Sequence, residues 1–133
     1  MLKVITDFVN AVQFPVAQNV KKGDIVQLTV ENNSVCLVKS NGLAPLGFLT
    51  KKVKVVSKKT KAIKRYVGEV RHGRSIWETD NFDVQQRYPI NANLYIDQNG
   101  AFTTTRTTDQ HPAVGMVLYP PSADNSTLQL IWF

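Results

Sequence analysis

The dipeptide Asn99-Gly100 constrains this chain more than any other short stretch. It sits in Asp97-Gln98-Asn99-Gly100, between the strand-like run Leu94–Ile96 and a second run that begins at Phe102. Asn-Gly between alternating apolar residues signals a β-hairpin, because both residues tolerate the positive φ of a tight turn. After a polar connection a further apolar run follows, Ala113–Leu118. The plan occurs twice. Ile25–Val30 reads as a half-buried strand, with Val26, Leu28 and Val30 alternating against Gln27 and Thr29. Glu31–Ser34 is a turn, Val35–Val38 a strand, Ser40–Gly42 a loop and Ala44–Leu49 another apolar run. Twelve residues separate Val35 from Gly47, and thirteen separate Phe102 from Gly115. Gly23–Leu49 and Asn91–Leu118 are therefore read as two copies of one hairpin-plus-strand unit.

The rest of the chain reads the same way. Lys51–Ser57 alternates Val53 and Val55 against lysines, which predicts a strand with one packed face and one in water. Ser57–Lys61 has no apolar residue and reads as an exposed hairpin tip. Ala62–Val70 and Ser75–Thr79 recover strands, and Asp80–Pro89 is a connection with room for one helical turn. Leu128, Leu130 and Trp132 alternate against Thr127, Gln129 and Ile131, which predicts a final strand pinned into a sheet. Turn signals recur every 8–12 residues, so the class is all-β: a small β-barrel or β-sandwich with a basic hairpin excursion over 51–65. Residues 1–133 are expected to form a single domain. Residues 1–16 stay open between an N-terminal arm, a first strand and a short helix. Apolar positions 5, 8, 9 and 12 have helical spacing, but β-branched residues dominate and Pro15 stops a helix.

The formal net charge is +6, but it is local. Lys51, Lys52, Lys54, Lys58, Lys59, Lys61, Lys64 and Arg65 are half of the 16 basic residues, with no acidic residue among them. The remainder carries eight basic and ten acidic residues, so no global affinity for polyanions follows. The basic segment reads as a solvated strand and loop, a dock for an acidic protein surface, or a nucleic-acid site. Against nucleic acid, no aromatic residue appears in it before Tyr66, whereas single-strand binders interleave cations with stacking platforms. No apolar run approaches the roughly 20 residues of a membrane helix, and Met1–Asp7 lacks the pattern of a secretory signal.

Little in the chain points to catalysis. Cys36, the one cysteine, lies in an apolar run and reads as a small buried hydrophobe. His72, in Arg71-His72-Gly73-Arg74, and His111, before Pro112, have no metal-type spacing and read as exposed loop histidines. Asp80 and Asp83 make no paired-carboxylate site, and the glycines form no phosphate loop. Gly23, Gly47, Gly100 and Gly115 read as turn or packing glycines at related places in the two copies. The expectation is a protein that is not an enzyme and uses no cofactor or metal.

Four stretches then carry a family resemblance: Gly23-Asp24-Ile25-Val26, Pro45-Leu46-Gly47, Leu94–Gly100 (L-Y-I-D-Q-N-G) and Val114–Leu118 (V-G-M-V-L). Over about Lys21–Phe133 the chain resembles small all-β phage head proteins of the decoration or cement type. It departs from them at Asn91-Ala92-Asn93, where a second Gly-Asp is common, and in the length of the basic excursion. The resemblance implies a virion structural protein on the capsid exterior, assembled in the host cytoplasm. It would bind the major capsid protein or another virion protein and self-associate, with a trimer favoured. A neck, tail or fibre-attachment component is the neighbouring alternative, and a small nucleic-acid-binding barrel the alternative from another class. Partner contacts are expected from the eight basic residues of 51–65, and from Phe8 and Phe14 if the leading segment orders against a neighbour.

Overall fold

A computed structural model describes residues 11–71 and 73–133. The described chain is all-β, with ten strands. Phe8 and His72 lie outside the described residues. Residues 11–39 and 46–71 form one compact unit; Ser40–Pro45 and Gly73–Phe133 form another.

The first unit contains β1 (Ala11–Val16), β2 (Ile25–Glu31), β3 (Ser34–Lys39), β4 (Gly47–Val56) and β5 (Ile63–Arg71). They close into a barrel in the order β1-β3-β2-β4-β5. Of the readings of the leading segment, 11–16 is a strand. It runs antiparallel to β5, from Ala11 opposite Arg71 to Val16 opposite Tyr66. Its other edge reaches β3 only at Val16, opposite Leu37 in parallel, one residue past Pro15, which has no N–H to give. The barrel interior holds Val16, Val20, Val26, Leu37, Leu49 and Val70, with Phe14, Ala17, Leu46 and Tyr66 packed against them. Gly68 faces this core: an added Cβ would run into Val16 and Leu49.

The second unit contains β6 (Ser75–Thr79), β7 (Asn93–Ile96), β8 (Phe102–Thr103), β9 (Gly115–Tyr119) and β10 (Leu128–Trp132), in the sheet order β6-β10-β9-β7-β8. One parallel bridge, Phe82 to Phe102, ties β8 back to the segment after β6. Leu94, Ile96, Phe102, Val117, Leu128 and Leu130 are fully buried, and Trp132 meets Phe102 edge to face at 6.2 Å. The alternation read at Leu128, Leu130 and Trp132 is the observed inward face of β10.

The two units share one strand order: first with fifth, fifth with fourth, fourth with second, second with third. The duplication read as a hairpin plus a strand thus extends to five strands. Its backbone hydrogen bonds correspond one to one. Gly23 N–H donates to Leu49 O at 2.7 Å, and Asn91 N–H to Val117 O at 2.9 Å. The return bonds, Leu49 N–H to Asp24 O and Val117 N–H to Ala92 O, are 2.9 and 3.0 Å. Leu46 N–H to Val26 O and Val114 N–H to Leu94 O are both 2.8 Å. Each pair lies at the chain spacing that separates Gly23 from Asn91. Both of these residues have positive φ, +94° and +71°, so Asn91 takes the backbone role of the glycine it replaces.

The hairpin turns differ from expectation. Only Gly100 has positive φ (+83°) in Asp97–Gly100; Asn99 does not. Gly100 N–H donates to Asp97 O at 3.1 Å, while Asp97 Oδ1 accepts from Asn99 N–H and Ala101 N–H at 2.8 and 3.0 Å. The aspartate side chain organises a wider turn, and glycine serves its last position. The two-residue turn with both φ positive stands instead at Asn32-Asn33 (+50° and +64°), where Glu31 pairs with Ser34. Asp80–Pro89 forms no helix; it makes the Phe82 bridge and a turn in which Gln86 N–H donates to Asp83 O.

Candidate interaction surface

The basic segment forms the β4–β5 hairpin. Beyond Tyr66, where β1 leaves, the two strands pair only with each other: Lys54 with Tyr66, Val55 with Arg65, Val56 with Ile63. Lys61 takes a positive φ (+62°) at the tip, and Ser57 N–H donates to Ala62 O. A register shift after Val55 leaves Lys64 as the extra residue. The result is a ribbon that is two-stranded beyond Tyr66; nearer the barrel, Val67 and Glu69 also lie opposite Pro15 and Gln13 of β1.

Cross-strand partners share a face, so the ribbon has two sides. One carries Lys52, Lys54 and Val56 with Tyr66 and Ile63; the other carries Lys51, Val53 and Val55 with Glu69, Val67 and Arg65. The second side forms the wall of a shallow groove of about 280 Å³, which also includes Gln13 of β1. The sequence assigned the valines to a packed face and the lysines to water. The structure divides them otherwise. Of the two valines expected to pack, Val53 is 46 % exposed and Val55 is half-buried; Val56 and Ile63 are 48 and 47 % exposed. Lys52 is half-buried and is the best-anchored side chain of the ribbon. Its Nζ donates to the carbonyls of Gln18 and Val20 at 2.6 Å each, and lies 4.5 Å from the centre of the Tyr66 ring. A register shift between Leu49 and Lys51 accompanies this exchange of faces.

The residues expected to bind a partner therefore separate. Lys51, Lys54, Lys58, Lys59, Lys61, Lys64 and Arg65 are exposed and gathered on the ribbon. Lys52 is tied to the barrel. Phe14 is half-buried and packs against the barrel core. What sequence reasoning missed is the aliphatic content of the surface: β-branched residues alternating with lysine look the same whether their face is covered or bare.

The second unit has a larger concavity, about 620 Å³, bordered by Phe82, Val84, Arg87, Tyr88, Pro89 and Pro120 among others. Phe82 and Tyr88 stack edge to face at 5.3 Å. The Tyr88 hydroxyl donates to Asp83 O at 2.7 Å and also reaches Phe102 O at 3.1 Å. Burial, with the Asp83 carboxylate adding to it, pushes this phenol well above its ordinary pKa.

The histidine expected at the surface is buried. His111 is 3 % exposed; its Nε2–H donates to Asn41 O at 3.2 Å, and its Nδ1 accepts from Thr108 Oγ1 at 2.7 Å, the tautomer that satisfies both partners. Cys36 is half-buried on β3, and burial followed by the Glu31 charge raises its thiol pKa, which disfavours the reactive thiolate. Among the described residues no group of three or more His, Cys, Asp or Glu is placed to hold a metal ion.

No protein-family model matches the chain, and no curated protein matches it in sequence. Among solved structures, the head fiber gp8.5 N base of bacteriophage phi29 is similar, with a TM-score of 0.51 over 92 % of this chain and 92 % of that one, at 10 % identity. At that identity the likeness is one of fold, and it extends over nearly the full length of both chains.

Proposed function

We propose that this protein is a non-enzymatic structural component of a phage particle, attached to the outside of the head as the base of a fibre or as a decoration protein. The observation that carries this reading is the fold match to a head fibre base across 92 % of each chain, which takes in the strands of both units. The motif resemblance to head decoration proteins supports the same class from the sequence. Its partners are the major capsid protein or another virion protein, together with further copies of itself, three being the favoured number. Many identical copies on a regular lattice turn a modest contact into firm attachment.

Quantitative mass spectrometry of purified particles tests the reading. A fixed copy number in mature particles is expected, with labelled antibody on the head exterior in electron micrographs. A fibre base appears at few sites under each projecting fibre, a decoration protein across the whole lattice. Absence from particles that were purified intact would overturn the proposal. Sedimentation of the protein alone checks the trimer.

A further inference from the structure

The ribbon combines two properties that narrow its partner. Seven exposed cations, Lys51, Lys54, Lys58, Lys59, Lys61, Lys64 and Arg65, border it. Between them the outer face presents Val53, which is exposed, with the half-buried Val55 and Val67 beside it along the groove. Cations alone would suit any polyanion. A partly exposed aliphatic cluster has no complement on a phosphate backbone, and it has one on a protein surface. A base would need a flat ring to stack on. The ribbon's aromatic residue, Tyr66, has the Lys52 ammonium over its ring and packs against the barrel core.

We infer that the outer face of the β4–β5 ribbon docks on an acidic protein surface that carries an apolar patch, with Val53, Val55 and Val67 at the centre of the contact and the lysines at its rim. The charge fits one sign of partner only, because 51–65 contains no acidic residue. The arrangement is that of a protein interface, with a desolvated centre and a charged rim that speeds encounter. Glu69, at the foot of the cluster opposite Lys51, places the carboxylate of this face where the ribbon joins the barrel. If the virion reading holds, the partner is a neighbouring particle protein; that last step alone rests on it.

Three defined probes test the docking chemistry with the full chain at physiological salt: poly-glutamate, a random glutamate–tyrosine copolymer, and an oligo(dT) strand. The copolymer should bind about tenfold more tightly than either of the others, the margin expected from burying a small apolar centre. Val53→Thr with Val67→Thr keeps the branched strand shape, and should remove the copolymer's advantage while leaving poly-glutamate binding unchanged. Lys58→Gln with Lys59→Gln and Lys61→Gln should weaken both acidic polymers and flatten their salt dependence. A measurement on the unaltered chain guards against a valine variant that fails to fold: raising the salt should abolish oligo(dT) and poly-glutamate binding before it abolishes copolymer binding. Oligo(dT) binding as tight as the copolymer's, or a copolymer advantage that survives both valine changes, would overturn the inference. None of these outcomes touches the particle copy number, so the two proposals fail separately.

Discussion

The two units have the same strand order, yet they place their irregular residues in different connections. In the first, the fourth and fifth strands run on past the barrel as a ribbon of Lys, Val and Ile. In the second, the corresponding strands are five residues each and are joined by a loop rich in proline, serine and asparagine, Pro120–Ser126. The second unit's length goes instead into Thr104–Ala113, which carries the buried His111. The hydrogen bonds common to both lie where the first turn of the unit meets its fourth strand, at Gly23 and Leu49 in one and Asn91 and Val117 in the other. The shared geometry makes the sheet, and the unshared connections carry what is particular to each unit. That is the expected division when a scaffold is fixed by backbone pairing and its loops are free to vary.

The largest effects should come from glycines that the second unit cannot replace. Gly42 has φ +91°, and a Cβ there would strike the carbonyl of Ile96 and lie 2.5 Å from His111 Cδ2. Gly42→Ala should cost about 4 kcal/mol, from left-handed strain together with forced repacking. Gly115→Ala, whose Cβ would meet the Ile131 carbonyl across β9 and β10, should cost about 3 kcal/mol by the second cause alone. Both tryptophans, Trp77 and Trp132, belong to the second unit, so denaturant unfolding followed by tryptophan fluorescence reports on it directly. A midpoint unchanged from wild type in either variant would mean that these close approaches do not define the second unit.

Tyr88 gives the second unit a pH dependence. Its folded pKa is raised by burial and by Asp83. The stabilisation it brings is therefore full below the unfolded phenol value near 10 and is lost as pH rises above it. Tyr88→Phe removes the donor to Asp83 O and should cost about 1.5 kcal/mol at neutral pH. It should also flatten the fall in the tryptophan-monitored midpoint above about pH 10. An equally steep alkaline fall in the variant would assign that titration to another group.

How far the sequence carried depended on what each feature required of the backbone. Strand periodicity and turn residues are local, so the all-β class, the β10 alternation and the repeat could be read directly. The repeat was visible because Gly47 and Gly115 recur at matched distances from their hairpins. Its full extent was hidden because β1 and β6 share no motif. Burial of single side chains depends on segments far apart in the chain. His111 looked exposed because the carbonyl of Asn41 that receives its Nε2–H lies in a distant loop. Val53 looked packed, yet it is exposed while Val55 is half-buried, because alternation reports a side of a strand and not how far that side is covered. The Asn99-Gly100 turn was misread for a smaller reason: the Asp97 carboxylate gives the chain a second way to close the hairpin.

Within the ribbon, Lys52 should behave unlike its neighbours. Lys52→Met keeps the stem and removes the ammonium that joins Gln18 O and Val20 O and lies over Tyr66. The expected cost is about 1 kcal/mol, the net value of hydrogen bonds from a charged group at a half-exposed site. Lys58→Gln, on the exposed tip, should leave stability within about 0.5 kcal/mol of wild type. Thermal unfolding followed by far-ultraviolet circular dichroism compares the two. Equal stabilities would mean that Lys52 is no better anchored than the tip lysines and would remove the contrast between them.

The smallest effect sharpens the comparison most. Gly23 and Asn91 hold the same place in the two units, both with positive φ and both donating to the fourth strand. Nothing lies within 4 Å of a Cβ built on Gly23, so a side chain there meets conformational strain and no collision. Gly23→Ala should therefore cost about 1 kcal/mol, the penalty of an ordinary residue in the left-handed region. Gly23→Asn should cost only a few tenths, because asparagine visits that region with least strain. Asn91→Gly should be close to neutral: glycine relieves the strain but loses more conformational entropy on folding. Denaturant midpoints of the three variants measure the differences. If Gly23→Asn proves as costly as Gly23→Ala, the two turns are alike in hydrogen bonding but not in what their backbones demand, and Asn91 is held by contacts of its own rather than by the role it shares with glycine.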